Sequence, residues 1–263
     1  MPSDNPVGVM DSGFGGLSVL KALRKKLPAE NFFYCADNGN APWGDKDCAF
    51  IIDRTRAIIR FLIEHGAKAV VIACNTATAV AAETVRAEFS LPIIGIEPAV
   101  KPAAKLSPSG RFGVLGTTRT ITSERYHNLL VRFTQGTHVM SVAAPGLMEC
   151  VERGEFDTLE TKRLIEKYLS PMLQANIDTL VLACTHYPFL EKAIREVAGE
   201  SVKIIEPSSA VADVLYLRLK TADLVCETAR IGTERFWIKN AEQFSPVLRK
   251  LWSTATTPEE LTI

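Results

Sequence analysis

Short apolar runs alternate with longer amphipathic stretches along this chain, and the same order of elements occurs twice. Runs at 7–13, 31–37, 69–75 and 92–98 have the length and residue types of strands. The stretches GLSVLKALRKKL and DRTRAIIRFLIEHG lie between such runs and space their apolar residues as helices do. Because strands separated by helices pair in parallel, we predict an α/β fold with parallel sheets flanked by helices.

Three landmarks of the first half recur in the second half in the same order. At offsets of 105, 110 and 109 residues, the pairs are Gly8-Val9-Met10 with Gly113-Val114-Leu115, Ala73-Cys74 with Ala183-Cys184, and Glu97-Pro98 with Glu206-Pro207. Landmarks that keep one order and nearly one spacing predict two similar domains related by a pseudo-twofold axis. Coincidence is the alternative for pairs this short.

The end of the chain bears on where these domains begin and end. After Pro207 the stretch SSAVADVLYLRLK starts a new helix, and the remaining residues are too few to fold alone. We expect this tail to pack on the first domain, which gives a first domain of 1–98 plus 208–263 and a second of 99–207. Each Glu-Pro dipeptide would then be a crossover, because proline holds the preceding residue in extended geometry.

Composition excludes several classes of partner. The 30 basic and 30 acidic side chains cancel, and a pI near 6.9 gives no reason to expect nucleic acid or an anionic membrane. No apolar run approaches the ~20 residues that span a bilayer, and the first residues lack the pattern of a signal peptide. We therefore expect a cytoplasmic protein. The cysteines lack metal-ligand spacing, and we interpret four of them as small buried hydrophobes: Cys35, Cys48, Cys150 and Cys226.

The other two cysteines follow strand ends. Ligands of parallel α/β sheets bind beyond the carboxyl ends of the strands, where Asp11, Cys74, Thr117 and Cys184 are expected to lie. Two similar domains that face each other would form an interdomain cleft with one thiol on each wall. We predict the active site there.

Two opposed thiols suit a reaction that inverts a stereocentre. One base removes a proton from one face and an acid returns a proton to the other, and the two roles are exchanged afterwards. An unperturbed thiol pKa of ~8.5 makes both protonation states accessible. A Cys-His amide hydrolase is an alternative that would need Cys184 but not Cys74. A two-domain amino-acid-binding protein without chemistry is another.

The stretches DSGFGGLSVL, ACNTATA, APGLMECVERGEF and ACTHYP resemble the motifs of the glutamate racemases, cofactor-independent members of the aspartate/glutamate racemase superfamily. The resemblance runs from Gly8 to about Pro207. It implies that Cys74 deprotonates D-glutamate and Cys184 deprotonates L-glutamate. It also implies auxiliary acid/base and substrate-binding residues at matching positions: Asp11, Glu152 and His186 for the first role, and Asp11-Ser12, Trp43-Gly44, Asn75-Thr76 and Thr185-His186 for the second.

Several of these residues have a plainer interpretation. Asp11 and Ser12 could cap the following helix, or free amides at that helix start could hold a substrate carboxylate. Thr117 and Thr120, in a hydroxyl-rich turn, could cap a helix or bind a carboxylate. Three more residues could simply cap the helices that follow their strands: Asn75, Thr76 and Thr185. His186 could be a structural hydrogen-bonding residue.

Two positions depart from the family pattern. Trp43 stands where tyrosine is common, so a contact there is expected through backbone amides. The segment around Glu152 matches loosely, and Glu149 and Glu155 compete for its role. We nevertheless predict a racemase that acts without pyridoxal phosphate or a metal, on glutamate for peptidoglycan, as a homodimer. An aspartate or hydantoin racemase is the alternative within the superfamily.

Overall fold

The computed structural model describes residues 3–263, and its first eight strands lie where the apolar runs predict them. The strands are β1 Val7–Asp11, β2 Phe32–Ala36, β3 Ala69–Ile72, β4 Ile93–Gly95, β5 Arg111–Gly116, β6 His138–Ala143, β7 Thr179–Ala183, β8 Lys203–Ile205, β9 Glu234–Ile238 and β10 Glu259–Glu260. The helices are α1 Gly16–Lys26, α2 Cys48–Glu64, α3 Asn75–Glu88, α4 Val100–Leu106, α5 Thr118–Ile121, α6 Glu124–Phe133, α7 Leu147–Glu152, α8 Leu159–Gln174, α9 Glu191–Ala198, α10 Ser208–Thr221 and α11 Ala241–Leu251. Single 3₁₀ turns span Asn38–Asn40, Trp43–Asp45 and Tyr187–Leu190.

The strands form two parallel sheets with matching topology. The first sheet has the order β10-β9-β2-β1-β3-β4 and the second has the order β6-β5-β7-β8. In each, the second strand of the repeat pairs with the first, the first with the third and the third with the fourth. The α/β prediction is therefore confirmed, and the repeated landmarks reflect a repeated strand order.

The tail after Pro207 contains more than the predicted helix. β9 pairs in parallel with β2, and β10 extends the sheet beyond β9. In β9 the residues Phe236, Trp237 and Ile238 are buried, and Trp237 packs edge-to-face on Phe33. These strands were not predicted, because short runs among polar residues give a weak pattern.

Packing brings the two halves together around the strand ends. One hydrophobic cluster contains Phe14 and Leu17 from the first half with Leu147, Val151 and Leu190 from the second. The crossover dipeptides Glu97-Pro98 and Glu206-Pro207 line one wide cleft. Among residues 3–263, none of the helices has the length and apolar composition needed to cross a bilayer.

The cysteines outside the strand tips follow the prediction with one exception. Cys35, Cys150 and Cys226 are buried. The interpretation of Cys48 as a buried hydrophobe is wrong, since it is exposed at the first position of α2. The first turn of a helix points one face to solvent, and the apolar stripe of α2 begins later, at Ile51.

Candidate active site

Cys74 and Cys184 line the same cavity from opposite sheets. Each thiol follows a strand of the repeat, Cys74 after β3 and Cys184 directly after β7, and each residue is 5% exposed. Cys74 also caps α3, because its Sγ accepts a hydrogen bond from the amide of Ala77 at 3.4 Å. The prediction that two thiols meet at one site is therefore met by the geometry.

Most of the predicted site residues contribute to the wall of this cavity. The lining consists of Ser12, Trp43, Gly44, Cys74, Asn75, Thr76, Thr117, Met148, Cys184, Thr185 and His186. Asp11 and Glu152 lie behind this wall and contact residues that form it. Thr120 likewise contacts the lining residue Thr117.

A chain of polar contacts leads from Cys184 into the protein. Nδ1 of His186 lies 3.7 Å from Sγ of Cys184, and Nε2 lies 2.6 Å from Oε1 of Glu152. Burial by itself lowers the pKa of His186, but its hydrogen bonds to Cys184 and Glu152 raise it well above the usual value. These two contacts favour the protonated imidazole, which has one N–H for the thiol and one for the carboxylate.

Backbone and side-chain donors from the first half hold Glu152. The amide of Phe14 donates to Oε1 at 2.7 Å, and Nδ2 of Asn38 donates to Oε2 at 2.5 Å. Of the competing glutamates, Glu155 pairs with Arg153 instead. Glu152 is the glutamate that contacts His186.

The glycine-rich loop before α1 does not offer its amides to a ligand. The amide of Gly13 donates to Oδ1 of Asp11 at 2.8 Å, that of Phe14 donates to Glu152, and that of Gly15 lies 3.1 Å from Nε2 of His186. A proton on Nε2 that is directed to Glu152 leaves no acceptor there for the amide of Gly15. The amides of Gly13 and Phe14 bond to the protein's own carboxylates, Asp11 and Glu152, and are not free for a substrate carboxylate. Asp11 also does not cap α1, whose first residue follows Gly15 without a side-chain cap.

Asp11 is fully buried, and its carboxylate reaches across to the second half. Its Oδ2 accepts a hydrogen bond from the hydroxyl of Thr185 at 3.0 Å. Burial raises the pKa of Asp11 from 3.8 to about 6, although the charge of His186 and the bonds from Gly13 and Thr185 act in the opposite direction.

The environment of Cys74 favours the protonated thiol. Burial, followed by the negative charge of Asp11, raises the pKa of Cys74 to about 12. The hydroxyl of Ser12, 3.5 Å from Sγ, and the amide of Ala77 partly offset this rise. Cys74 and Cys184 thus have different surroundings, since no imidazole is in hydrogen-bond contact with Cys74 within the described part of the chain.

A row of hydroxyls crosses the cavity wall. Thr76 and Thr117 are joined by a hydrogen bond of 2.9 Å between the two halves. Thr117 also donates to the hydroxyl of Thr120 and accepts from its amide, which makes Thr117 the cap of α5. The helix-cap interpretation of Thr117 is confirmed, and its place in the lining leaves the binding role open.

Two buried polar side chains in the lining lack protein partners. Both amide atoms of Asn75 and Nε1 of Trp43 are without a hydrogen bond among residues 3–263. Buried amides without partners are uncommon and costly. Asn75 therefore has free hydrogen-bonding capacity at the cavity, as a ligand-binding residue needs.

Sequence reasoning missed three residues that complete the site. Met148 lines the cavity, Asn38 holds Glu152, and the hydroxyl of Tyr34 donates to the carbonyl of Gly13 at 2.7 Å. Met148 lies inside a quoted motif and could have been found there. Asn38 and Tyr34 gave no signal, because they lie outside the quoted motifs and their partners are 114 and 21 positions away.

Comparison with known proteins assigns this arrangement to a family. The profile of the Asp/Glu/Hydantoin racemase family matches residues 7–215. The chain belongs to this racemase family. A glutamate racemase from Methylococcus capsulatus is 46% identical over 251 residues, which covers 95% of this chain and 93% of the relative. A glutamate racemase from Pseudomonas aeruginosa is 41% identical over 259 residues, or 98% of this chain and 97% of the relative.

Solved racemase structures share the whole fold. A glutamate racemase isoform from Bacillus anthracis matches with a TM-score of 0.90 and 31% identity, covering 99% of this chain and 98% of that one. The glutamate racemase of Francisella tularensis, solved in complex with D-glutamate, matches with a TM-score of 0.85 and 29% identity over 99% of this chain and 98% of that one. The resemblance of the four sequence motifs to those of the glutamate racemases is therefore confirmed.

Proposed function

We propose that this chain is a cofactor-independent glutamate racemase that interconverts L-glutamate and D-glutamate by proton transfer at Cys74 and Cys184. The observation that carries the proposal is the position of the two thiols on one cavity, each from a different sheet. The names of the relatives with 41–48% identity support glutamate as the substrate.

The reaction follows from two thiols in opposite protonation states. The thiolate of Cys184 removes the α-proton of L-glutamate, so that an S–H bond forms as the C–H bond breaks. The electron pair left on Cα is delocalised into the substrate's own carboxylate. The thiol of Cys74 then gives its proton to the opposite face, which leaves D-glutamate and a Cys74 thiolate. The reverse reaction exchanges the two roles.

The surroundings of each thiol support these roles. Nδ1 of His186 lies against Sγ of Cys184, and the raised pKa of Cys74 keeps that thiol as the proton donor. For D-glutamate, the ammonium group of the bound substrate supplies positive charge that favours ionisation of Cys74.

The remaining assignments of the site are part of the same proposal. Asn75, with its unpartnered amide, binds the substrate together with Thr76, Thr117 and Thr185. Other binding groups are Ser12, His186 and the backbone of Trp43-Gly44, while Asp11 and Thr120 support the binding residues Thr185 and Thr117 from behind the lining. Glu152 and His186 assist Cys184, and Asp11 assists Cys74 by keeping it protonated before the transfer.

The cellular setting and assembly follow from the resemblance. We propose a cytoplasmic homodimer that supplies D-glutamate for peptidoglycan. We also propose that the two sheets belong to two domains, 1–98 plus 208–263 and 99–207. The pairing of β9 with β2 supports assigning the tail to the first domain.

A chirality assay tests the proposed activity. The purified chain, without added cofactor, is incubated with L-glutamate or D-glutamate, and both enantiomers are quantified by chiral chromatography. We expect each to approach an equal mixture, with no ammonia released. Ammonia release without inversion would support an amide hydrolase, and an unchanged enantiomer would support a binding protein. Faster inversion of aspartate than of glutamate would indicate that aspartate is the substrate.

A further inference from the structure

Asn38 makes a directional contact with the acid/base machinery. It lies in the turn Asn38–Asn40 after β2, is 3% exposed, and donates from Nδ2 to Oε2 of Glu152 at 2.5 Å. Its Oδ1 has no hydrogen-bond partner in the described part of the chain. Because an ionised carboxylate accepts but cannot donate, the amide must turn its NH₂ group toward Glu152.

The contact extends to the thiol through two side chains. Glu152 presents its other oxygen to Nε2 of His186, and Nδ1 of His186 faces Cys184. The amide of Phe14 donates to the same oxygen that faces His186. Both carboxylate oxygens are therefore held by donors from the first half of the chain, and the carboxylate cannot rotate without losing one of them.

We propose that Asn38 is a positioning residue that holds the carboxylate of Glu152 against Nε2 of His186, so that Nδ1 of His186 stays directed to Cys184. This inference rests on the proposed function, which gives Cys184 its role as a base. Asn38 comes from the first half, whereas Glu152, His186 and Cys184 come from the second. The base at Cys184 is therefore complete when the two halves are in contact.

A neighbouring ion pair fixes the turn that carries Asn38. Asp37 is fully buried and accepts from Nη2 and Nε of Arg54 at 2.6 and 3.0 Å. Asn40, in the same turn, donates from Nδ2 to the carboxylate of Asp37 at 3.0 and 3.1 Å. Asn40 thus makes the same kind of bond in the same turn, but to Asp37, and it offers a matched control.

Other titratable groups face this network from several elements, and the variants leave them in place. Asp11 at the end of β1 and Tyr34 on β2 interact with the charge of Glu152. Cys74 before α3 and Tyr187 after β7 interact with the charge of Cys184. Glu149 on α7 interacts with Tyr187.

Alkylation of Cys184 measures its thiolate without requiring turnover. The wild type and the variants Asn38→Ala, Asn38→Asp and Asn40→Ala are treated with iodoacetamide between pH 5 and pH 10, and the Cys184 peptide is quantified by mass spectrometry. In Asn38→Ala the midpoint of alkylation should rise by about 0.5–1 pH unit, because the imidazolium loses part of its support. The isosteric Asn38→Asp should raise it further, since a second carboxylate replaces the donor.

The control and a kinetic profile separate positioning from stability. Asn40→Ala should keep the wild-type midpoint, and the acid limb of kcat/KM against pH should shift with the alkylation midpoint in both Asn38 variants. An unchanged midpoint in Asn38→Ala and Asn38→Asp would overturn the inference. An equal shift in Asn40→Ala would reduce Asn38 to a structural residue of the turn. Failure of the wild type to racemise glutamate would overturn the proposed function instead, while the alkylation comparison would still test Asn38.

Discussion

The hydroxyl of Thr185 donates to the buried carboxylate of Asp11 at 3.0 Å, and this bond joins the two halves of the repeat at the candidate site. Thr185 follows Cys184 at the end of β7, whereas Asp11 ends β1. The amide of Phe14 crosses the same boundary to Glu152. The groups around Cys184 are thus held by the opposite half, so their geometry depends on the contacts between the two halves. Productive proton transfer requires such geometry.

Replacing either thiol by serine should abolish racemisation. Cys74→Ser and Cys184→Ser each remove one of the two proposed bases, because a serine hydroxyl at its ordinary pKa is a far poorer base than a thiol. Each variant keeps one competent thiol and should still exchange the α-proton of one enantiomer with solvent. In deuterated water, Cys74→Ser should label L-glutamate and Cys184→Ser should label D-glutamate, as read by mass spectrometry after chiral separation.

The wild type provides the reference for this labelling. Early product should carry deuterium while recovered substrate carries little, because the donor thiol exchanges its proton with solvent before each turnover. Equal early labelling of both enantiomers would indicate a single base that serves both faces. The two-cysteine mechanism would then be wrong.

Asp11→Asn should stabilise the folded protein while it lowers turnover. The folded-state pKa of about 6 lies above the ordinary value of 3.8, so the folded state binds more protons than the unfolded state between these values. The free energy of unfolding of the wild type therefore falls as the pH rises through this window. Asparagine does not ionise, and its advantage should be about 3 kcal/mol at pH 7.5 and about 1 kcal/mol at pH 4.5.

Urea unfolding at the two pH values measures this difference. The asparagine retains an acceptor for the amide of Gly13, and its NH₂ group can donate to the hydroxyl oxygen of Thr185. Turnover should fall by roughly 10–10⁴-fold, the range of a positioned acid/base group. If the variant is less stable than the wild type at pH 7.5, the hydrogen bonds of ionised Asp11 stabilise the fold by more than the burial of its charge destabilises it.

The sequence predicts the strands and the two thiols better than it predicts the residues that hold the acid/base groups in place. The β1 to β8 strands were predictable because buried parallel strands are short apolar runs, and Cys74 and Cys184 because each sits after such a run in a repeated motif. The contact between Asn38 and Glu152 joins residues 114 positions apart. No local pattern encodes a contact of that kind.

The glycine loop shows a second reason for an incorrect prediction. Amides before a helix suggest an anion site, and this suggestion holds in physical terms, since an anion does occupy the amide of Phe14. The sequence does not reveal that this anion is Glu152 rather than a substrate. Whether an anion site is filled by the protein itself depends on tertiary packing. The pairing of β9 depends on tertiary packing too, because its partner β2 lies about 200 residues earlier.

His186→Asn should slow the direction that starts at Cys184. Asparagine cannot carry the positive charge that supports the thiolate, so turnover should fall by roughly 10–10⁴-fold. The decrease in kcat should be larger with L-glutamate than with D-glutamate. The two values of kcat/KM must remain equal, because the enantiomers have equal free energy in water. Both directions are measured by circular dichroism.

A surface histidine serves as the control for this variant. His127 is exposed on α6, and His127→Asn should retain wild-type kinetics in both directions. Equal decreases of kcat for L-glutamate and D-glutamate in His186→Asn would indicate that His186 supports the whole site rather than Cys184.

Gly15→Ala should damage activity by more than its effect on stability accounts for. Gly15 has φ −54° and ψ −41°, which alanine adopts freely, so the backbone conformation does not require glycine. An added Cβ would lie 2.3 Å from Oγ1 of Thr185 and 2.4 Å from Nδ1 of His186. These atoms must move away, and a displacement of that size at a catalytic group costs about 10²-fold in kcat/KM.

Gly8→Ala is the matched control, because its Cβ would lie 2.8 Å from Cδ1 of Leu62 in the core of the first half. Both variants should lose about 1–3 kcal/mol of unfolding free energy in urea, but Gly8→Ala should keep kcat/KM near the wild-type value. A Gly15→Ala protein with wild-type kcat/KM would mean that the acid/base groups need not rest against this loop.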